Sequence, residues 1–357
     1  MMPRLALLTA VGGPIELAEY PLTTPAQGTA ALRLRMAGIC GSDLHIFRGE
    51  LPLPYPFAMG HEMVCEIAEL GQGLTTDATG KPLAVGDRVV TPYFWTCGQC
   101  HACSRGRSYA CQNLMAGEFP THQKAPHFIA AHGEYYYTNR RQPLYKVPEE
   151  LTDAQVAPLN CALAQVLFAL RDVRLGDTVV IQGAGGLGIN AAAVARTAGA
   201  VEVIVIDMIR ERLDVASDFG ATHCINAGGI STPEVTEQVR ERTGGIGADW
   251  VLEVVGVPGV IPDGVGFLNN GGTLLEVGNV GVGHTFELDP SVLVYGNKSV
   301  RGVMLYEPIT LAIGLSFLQH TSFPFHRLMP EPFHLADVNE AFESAGAGLV
   351  PRGALVP

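Results

Sequence analysis

Gly183-Ala184-Gly185-Gly186-Leu187-Gly188 follows the short apolar run Thr178-Val179-Val180-Ile181-Gln182 and opens an Ala-rich stretch that continues to Ala198. A strand, a G-x-G-x-x-G turn and a helix in that order constrain the fold more tightly than any other feature of the chain. The pattern then repeats. Val201 to Ile206 reads as a second strand, and Arg210 to Phe219 as a second helix ended by Gly220. Further strand-like runs stand at Cys224-Ile225, Asp249 to Val255 and Thr273 to Val277. Strands and helices alternating at this spacing predict an α/β unit, a parallel sheet covered on both faces and doubly wound in the Rossmann manner.

The turn has a specific chemistry. Gly183 permits the tight turn, Gly185 lets a pyrophosphate approach the backbone, and Gly188 lets helix and strand pack closely. The helix start, with Gly186 and Leu187 in its first turn, offers free N–H groups and a partial positive charge to phosphates. Asp207, at the end of the second strand, is placed to accept from an adenosine ribose diol and to repel a 2′-phosphate. That favours NAD over NADP, although Arg212 nearby could offset part of the repulsion.

Residues 1 to about 150 read differently. Short β-like runs at Ala31 to Met36, Met63 to Ala68 and Arg88 to Val90 are separated by turn residues, which predicts an irregular all-β unit. Ala154 to Leu170 is helical in period despite Pro158, and beyond about residue 304 the alternation is lost. The length of 357 residues suits two domains. Apolar residues make up 47% and charged residues 16%, enough core-forming material to exclude a disordered chain. A net charge of −12 without a basic stripe argues against nucleic acid and anionic membrane surfaces as partners. The first residues lack a signal-peptide pattern and no apolar run is long enough to span a bilayer, so a cytoplasmic location is expected.

Eight cysteines in a large chain of this kind point to metal ligation rather than a disulfide framework. Cys97, Cys100, Cys103 and Cys111 form C-x2-C-x2-C-x7-C, four thiolates able to close round one tetrahedral ion. Zinc is the favoured occupant, with an iron–sulfur cluster or disulfides as rivals. His101 is expected to be exposed, because that shell is already full. A second set is scattered. Cys40, His61 and Cys161 supply two thiolates and an imidazole from three segments, a Cys2His set that leaves a fourth position open, as in a catalytic zinc site. Cys65 and Cys224 are expected in the core, and His122, His127 and His132 are expected to be solvated loop residues.

Cys40 to His45, Gly60-His61-Glu62, the cysteine lobe, Cys161, the glycine turn and Asp207 together resemble the zinc-containing medium-chain dehydrogenase/reductase superfamily over nearly the whole chain. The resemblance implies a GroES-like catalytic domain of residues 1–162 and 304–357, with a Rossmann domain of residues 163–303 inserted. It implies two zinc ions per chain, the catalytic one on Cys40, His61 and Cys161, with Glu62 beside it. It further implies that Asp43 orients His61, that Ser42 takes the substrate proton, and that His45 is the outlet of this relay, reached through the cofactor ribose. The expected reaction is hydride transfer between a primary or secondary alcohol, or the matching carbonyl, and NAD. Zinc does no redox chemistry; it serves as a Lewis acid for the alcohol oxygen.

Two other readings compete. A zinc-free reductase of the same superfamily would lack the ligand trio. A zinc-binding interaction module would need only the lobe and a basic face. Cysteine at 161, where polyol- and threonine-type relatives commonly carry Glu, favours simple alcohols. Phe47, Phe94, Trp95, Leu114 and Leu305 are candidates for the substrate pocket. The family also implies a homodimer or homotetramer, with a sheet-extending strand between Ser291 and Val303.

Overall fold

The computed structural model describes residues 2–51, 53–115, 121–329, 331–347 and 352–357. They fall into two compact units, one of residues 1–164 with 306–357, the other of residues 165–305.

The second unit contains a six-stranded parallel sheet. Reading across it, the strands are His223–Asn226, Glu202–Asp207, Thr178–Gln182, Ala248–Glu253, Leu268–Glu276 and Ser299–Gly302. The order runs outward from Thr178–Gln182 in both directions, so the chain reverses its winding between that strand and Ala248–Glu253. The strands are rich in Val and Ile because both faces are covered. Val180, Ile204, Val251 and Leu274 are fully buried in one core with Val239 and Val265 of the covering helices. The helix Gly186–Ala198 follows the glycine turn, and the helix Arg210–Asp218 follows Asp207.

One element here went unread in the sequence, and one differs from expectation. Thr232–Arg242 is a helix that the apolar pattern barely announces, since only Val235 and Val239 face inward. Between Ser291 and Val303 the chain first forms the helix Ser291–Gly296. It then turns at left-handed Asn297 and enters a strand only at Ser299–Gly302.

The first unit is β-rich. Its larger sheet carries, side by side, Phe333–His334, Gly353–Val356, Ala30–Ile39, Glu62–Leu70, Arg88–Val90 and Tyr145–Lys146, with Tyr135–Tyr137 also pairing Ala30–Ile39. A smaller sheet joins Ile15–Glu19, Arg4–Leu8 and Phe57–Ala58. The end of the chain therefore returns to its beginning: Ala354 pairs Gly38, and Gly38 pairs Glu62. This register sets residues from three distant segments next to one another. Among the described residues no helix is long and apolar enough to cross a membrane.

Candidate metal centres and dinucleotide turn

Cys40 precedes the helix Gly41–Phe47 and occupies its cap position. Its backbone N–H donates to Asp43 Oδ2 at 2.9 Å, a local bond that holds the first turn closed. Asp43 is fully buried, and its other oxygen lies 3.3 Å from His61 Nδ1. The opposite ring atom, Nε2, lies 3.5 Å from Ser42 Oγ, and Cys40 is also a neighbour of the ring. Cys161 arrives from a different kind of element, the π-helical turn Leu159–Leu163 that follows Pro158. A π turn carries one extra residue per turn, which displaces a side chain from the regular helical path.

These segments converge. One ligand atom from each of Cys40, His61, Glu62 and Cys161 lies within 4.8 Å of all the others. Two sulfurs about 2.3 Å from one tetrahedral ion stand about 3.8 Å apart. The Cys40 and Cys161 sulfurs are separated by 3.8 Å, so the donor set fits a zinc ion. The electrostatics agree. The Cys161 thiol, and then His61, hold Cys40 well below the ordinary thiol range despite its burial. Burial alone would lower the His61 pKa, yet Asp43 and then Cys40 raise it well above the usual value. Two sulfurs and the Glu62 carboxylate thus gather beside the His61 imidazole, with the Arg352 guanidinium on Glu62.

The cysteine lobe is a second, separate cluster in which all four sulfurs lie within 4.8 Å of one another. Cys97 and Cys111 are 3.6 Å apart, and Cys100 and Cys111 3.9 Å, far beyond a disulfide bond and matched to a tetrahedral shell. All eight cysteines are free. Backbone N–H groups of Cys97 and Cys100 donate to the sulfurs of Cys111 and Cys97, both at 3.3 Å. N–H groups of Cys103 and Gln112 bring the Cys100 thiol down to about 6. His101 is exposed, as expected of a histidine beside a full shell.

The three motif glycines serve three different purposes. Gly183 has φ +100°, and a Cβ there would press on the backbone of Val254 and the side chain of Val255. At Gly188 a Cβ would collide with the Gly183 carbonyl, so helix and strand pack at a distance only glycine allows. At Gly185 a Cβ would meet no protein atom. That space, beside the start of the helix Gly186–Ala198, suits a phosphate. Gly186 and Leu187 open this helix and are partly exposed. Asp207 accepts the Ala184 N–H at 2.7 Å and the Ile209 N–H at 2.8 Å, pinning the turn from the end of the neighbouring strand. Each oxygen keeps a lone pair for a ribose hydroxyl. Arg212 lies partly exposed in the first turn of the next helix.

Comparison with known proteins gives the same picture. Residues 26–149 match the alcohol dehydrogenase GroES-like domain, and residues 186–320 match the zinc-binding dehydrogenase family. The chain is 33% identical to 5-exo-hydroxycamphor dehydrogenase of Pseudomonas putida over 348 residues, covering 96% of this chain and 94% of that one.

The chain belongs to the zinc-dependent alcohol dehydrogenase family.

It is also 28% identical to an L-threonine 3-dehydrogenase of Aeromonas salmonicida, over 97% of each chain. Its structure superposes on an alcohol dehydrogenase from Thermotoga maritima with a TM-score of 0.93 at 27% identity, covering 99% of both. It is an oxidoreductase acting on an alcohol or the matching carbonyl, with a GroES-like unit and a Rossmann sheet.

In this alcohol dehydrogenase the tertiary structure adds two residues that sequence reading passed over. Asn160 is fully buried; its Nδ2 donates to the carbonyls of His61 and Thr91, and its Oδ1 accepts from the Met63 N–H. It ties the segment carrying one ligand to the turn carrying another. Its own carbonyl accepts from the Tyr306 hydroxyl. Arg352 pairs with Glu62 through two hydrogen bonds in the interior. Gly38, whose register partners are Ala354 and Glu62, lies beside this pair, and a Cβ there would strike the Glu62 carboxylate. Burial still pushes Glu62 up to about 7, against the pull of Arg352. A glycine facing a glutamate was the available signal for this pair, but it means nothing until the last strand is known to return.

Some expectations are corrected. His132 is fully buried and His122 nearly so, rather than solvated. The His132 ring packs edge-on against Phe342 and bonds the Gly38 carbonyl at 3.1 Å, which offsets the cost of burying it. His127 stacks on Tyr20. Cys65 is core, but Cys224 is only partly covered and contacts Ser217 at 3.3 Å. Phe94 is locked between Tyr93 and Tyr306, and Phe47 packs on Phe342.

Proposed function

We propose that this enzyme transfers a hydride between a primary or secondary alcohol and NAD at a zinc held by Cys40, His61 and Cys161. The observation that carries the reading is the convergence of these three donors, from segments far apart in the chain, with spacing that suits one tetrahedral ion; three protein donors would leave the fourth position to substrate. When bound there, zinc supplies a Lewis acid that makes an alcohol oxygen easier to deprotonate and a carbonyl easier to reduce. A second zinc on Cys97, Cys100, Cys103 and Cys111 has a full shell and serves structure.

The chain's own residues do the rest. Asp43 holds His61 by Nδ1 and keeps its Nε2 toward the donors. Ser42 Oγ takes the substrate proton. His45 lies three residues further along the same helix, hence on the same face. It carries the proton outward, with Glu50 on its Nδ1 at 2.5 Å and solvent at hand. Glu62, held by Arg352, places negative charge beside the donors and can assist exchange of a ligand. The carboxyl ends of the parallel strands, where the winding reverses, would hold the cofactor: the turn of Gly183, Gly185, Gly186, Leu187 and Gly188 would take its pyrophosphate, and Asp207 its adenosine ribose. Arg212 borders that ribose site. The carboxylate at 207 favours NAD over NADP.

Cysteine at position 161 supports simple alcohols over polyols and threonine. The relative named for 5-exo-hydroxycamphor suggests testing alicyclic secondary alcohols beside linear ones. We further propose a cytoplasmic homodimer or homotetramer. Its contact would be the edge strand Ser299–Gly302 and the adjoining exposed Val294, Tyr295 and Met304. The test is a panel of linear, alicyclic and polyhydroxy alcohols with NAD or NADP, followed by reduced-cofactor absorbance on zinc-replete protein. Turnover of simple alcohols with NAD is expected; no turnover of any alcohol would overturn the proposal.

A further inference from the structure

Two carboxyl groups outside the metal centres stand side by side at the carboxyl edge of the parallel sheet. Glu253 ends the strand Ala248–Glu253, Glu276 ends Leu268–Glu276, and the two are register partners. Glu253 is fully buried. Among the described residues, neither forms an ion pair with a Lys, Arg or His. Their outer neighbours in register, Gln182 and Gly302, carry no charge.

The hydrogen bonds around the pair are all donated from two loops. Glu253 Oε1 accepts the N–H groups of Val255 at 2.6 Å and Gly256 at 2.8 Å. Glu276 Oε1 accepts the Asn279 N–H at 3.0 Å. The Asn279 side-chain amide bridges the two acids, 3.1 Å from Glu253 Oε2 and 3.0 Å from Glu276 Oε1. The loops themselves touch: a Cβ at Gly278 would lie 2.5 Å from the Gly256 nitrogen and 2.7 Å from Glu253 Oε2. One atom is left over. Glu276 Oε2 is buried and has no donor.

Two ionised carboxylates, one of them cut off from water and neither facing a cation, repel strongly. A proton between them removes one charge, supplies the missing donor and turns the contact into a hydrogen bond. Burial, and then Glu276, accordingly push Glu253 up to about 7. The loop bonded to Glu253 is the one that Gly183 packs against, since a Cβ at Gly183 would lie 3.1 Å from Val255 and 3.3 Å from the Val254 carbonyl carbon.

We infer that Glu253 and Glu276 share one proton, and that this proton holds loops 254–256 and 277–279 against the dinucleotide turn, so that cofactor affinity weakens when it is lost. Both are positioning residues, since they act through the loops. The inference rests on the reading of that turn as the NAD site.

The folded protein binds the proton more tightly than the unfolded chain, so the stabilisation is complete below the ordinary carboxylate range and is lost as pH rises through about 7. The test uses the zinc-loaded enzyme and Glu276→Gln, with Glu253→Gln as a second variant. NADH binding is measured by calorimetry from about pH 6 to about pH 9, and melting of the cofactor-free proteins is followed over the same range. In the parent enzyme the NADH Kd should rise roughly tenfold across the range, and in either variant by less than about twofold. The variants should also gain melting temperature over the parent as pH increases. Equal pH slopes in parent and variants would overturn the inference. If NADH bound to none of them, the cofactor reading and the loop coupling would both fall. The melting curves alone would then decide proton sharing, and no relative gain by the variants would refute it.

Discussion

Cys97 and Cys111 bring their sulfurs together across 14 residues of chain, whereas Cys40 and Cys161 do so across 121. The two clusters use the same donor chemistry, but different forces position them. In the lobe, the turns themselves place the ligands: backbone N–H groups one to three residues from a cysteine donate to its neighbours' sulfurs. Little apolar core is available there, so a bound ion and the loop support each other. In the scattered cluster no local turn could gather the donors. A helix cap, the residue that leads into a strand and a π turn are held in place by buried polar residues, namely Asp43, Asn160 and the Glu62–Arg352 pair. In the first arrangement the local turns set the donors; in the second, rigid elements from distant segments decide where they stand.

Three substitutions put that contrast to the test. The largest effect is expected for Cys161→Ser, which should leave one zinc per chain by elemental analysis and lower kcat/KM on the order of a thousandfold or more. Melting temperature should change little, since the elements hold their positions without the ion. Loss of both metals together would mean that the clusters are not independent. Next comes Cys103→Ser. It should remove the other zinc and destabilise the fold by about 2–3 kcal/mol, read as a lower melting temperature, while the folded fraction keeps its turnover. Lost turnover at unchanged stability would reverse the assignment of roles. The smallest effect is expected for Asp43→Asn, which preserves shape but weakens the hold on His61. Zinc affinity or turnover should fall about 10- to 100-fold, with no change at the four-sulfur lobe. An unaltered zinc affinity and rate would show that the 3.3 Å contact does not orient the ring.

The lobe and the dinucleotide turn were legible because their chemistry is local. Cysteine spacing reports directly on a closed shell, and glycines between strand and helix report on a backbone that must turn tightly and leave space. Gly183 and Gly188 meet the steric demands the motif implies, and Asp207 bonds into the turn it follows. The open site was legible only in part. Its three donors could be named, and the structure gathers them, but Asn160 and Arg352 gave no sign of their task. The histidines were misjudged for the same reason. His132 looked like a loop residue because its partners, Gly38 and Phe342, lie 94 and 210 positions away.

Short-range pattern is enough to specify the strand–turn–helix alternation, the four-cysteine lobe and the acid at the end of the second strand, since each is written in one local stretch of chain. Tertiary structure alone decided that the last strand returns beside Gly38 and sets Arg352 on Glu62. It also decided that Glu253 and Glu276 become neighbours across a strand register, and that Asn160 joins two ligand segments. Such pairings arise from burial and backbone pairing between segments far apart in the chain. The short-range pattern of residue types carries no record of which distant segment will fill the space beside them.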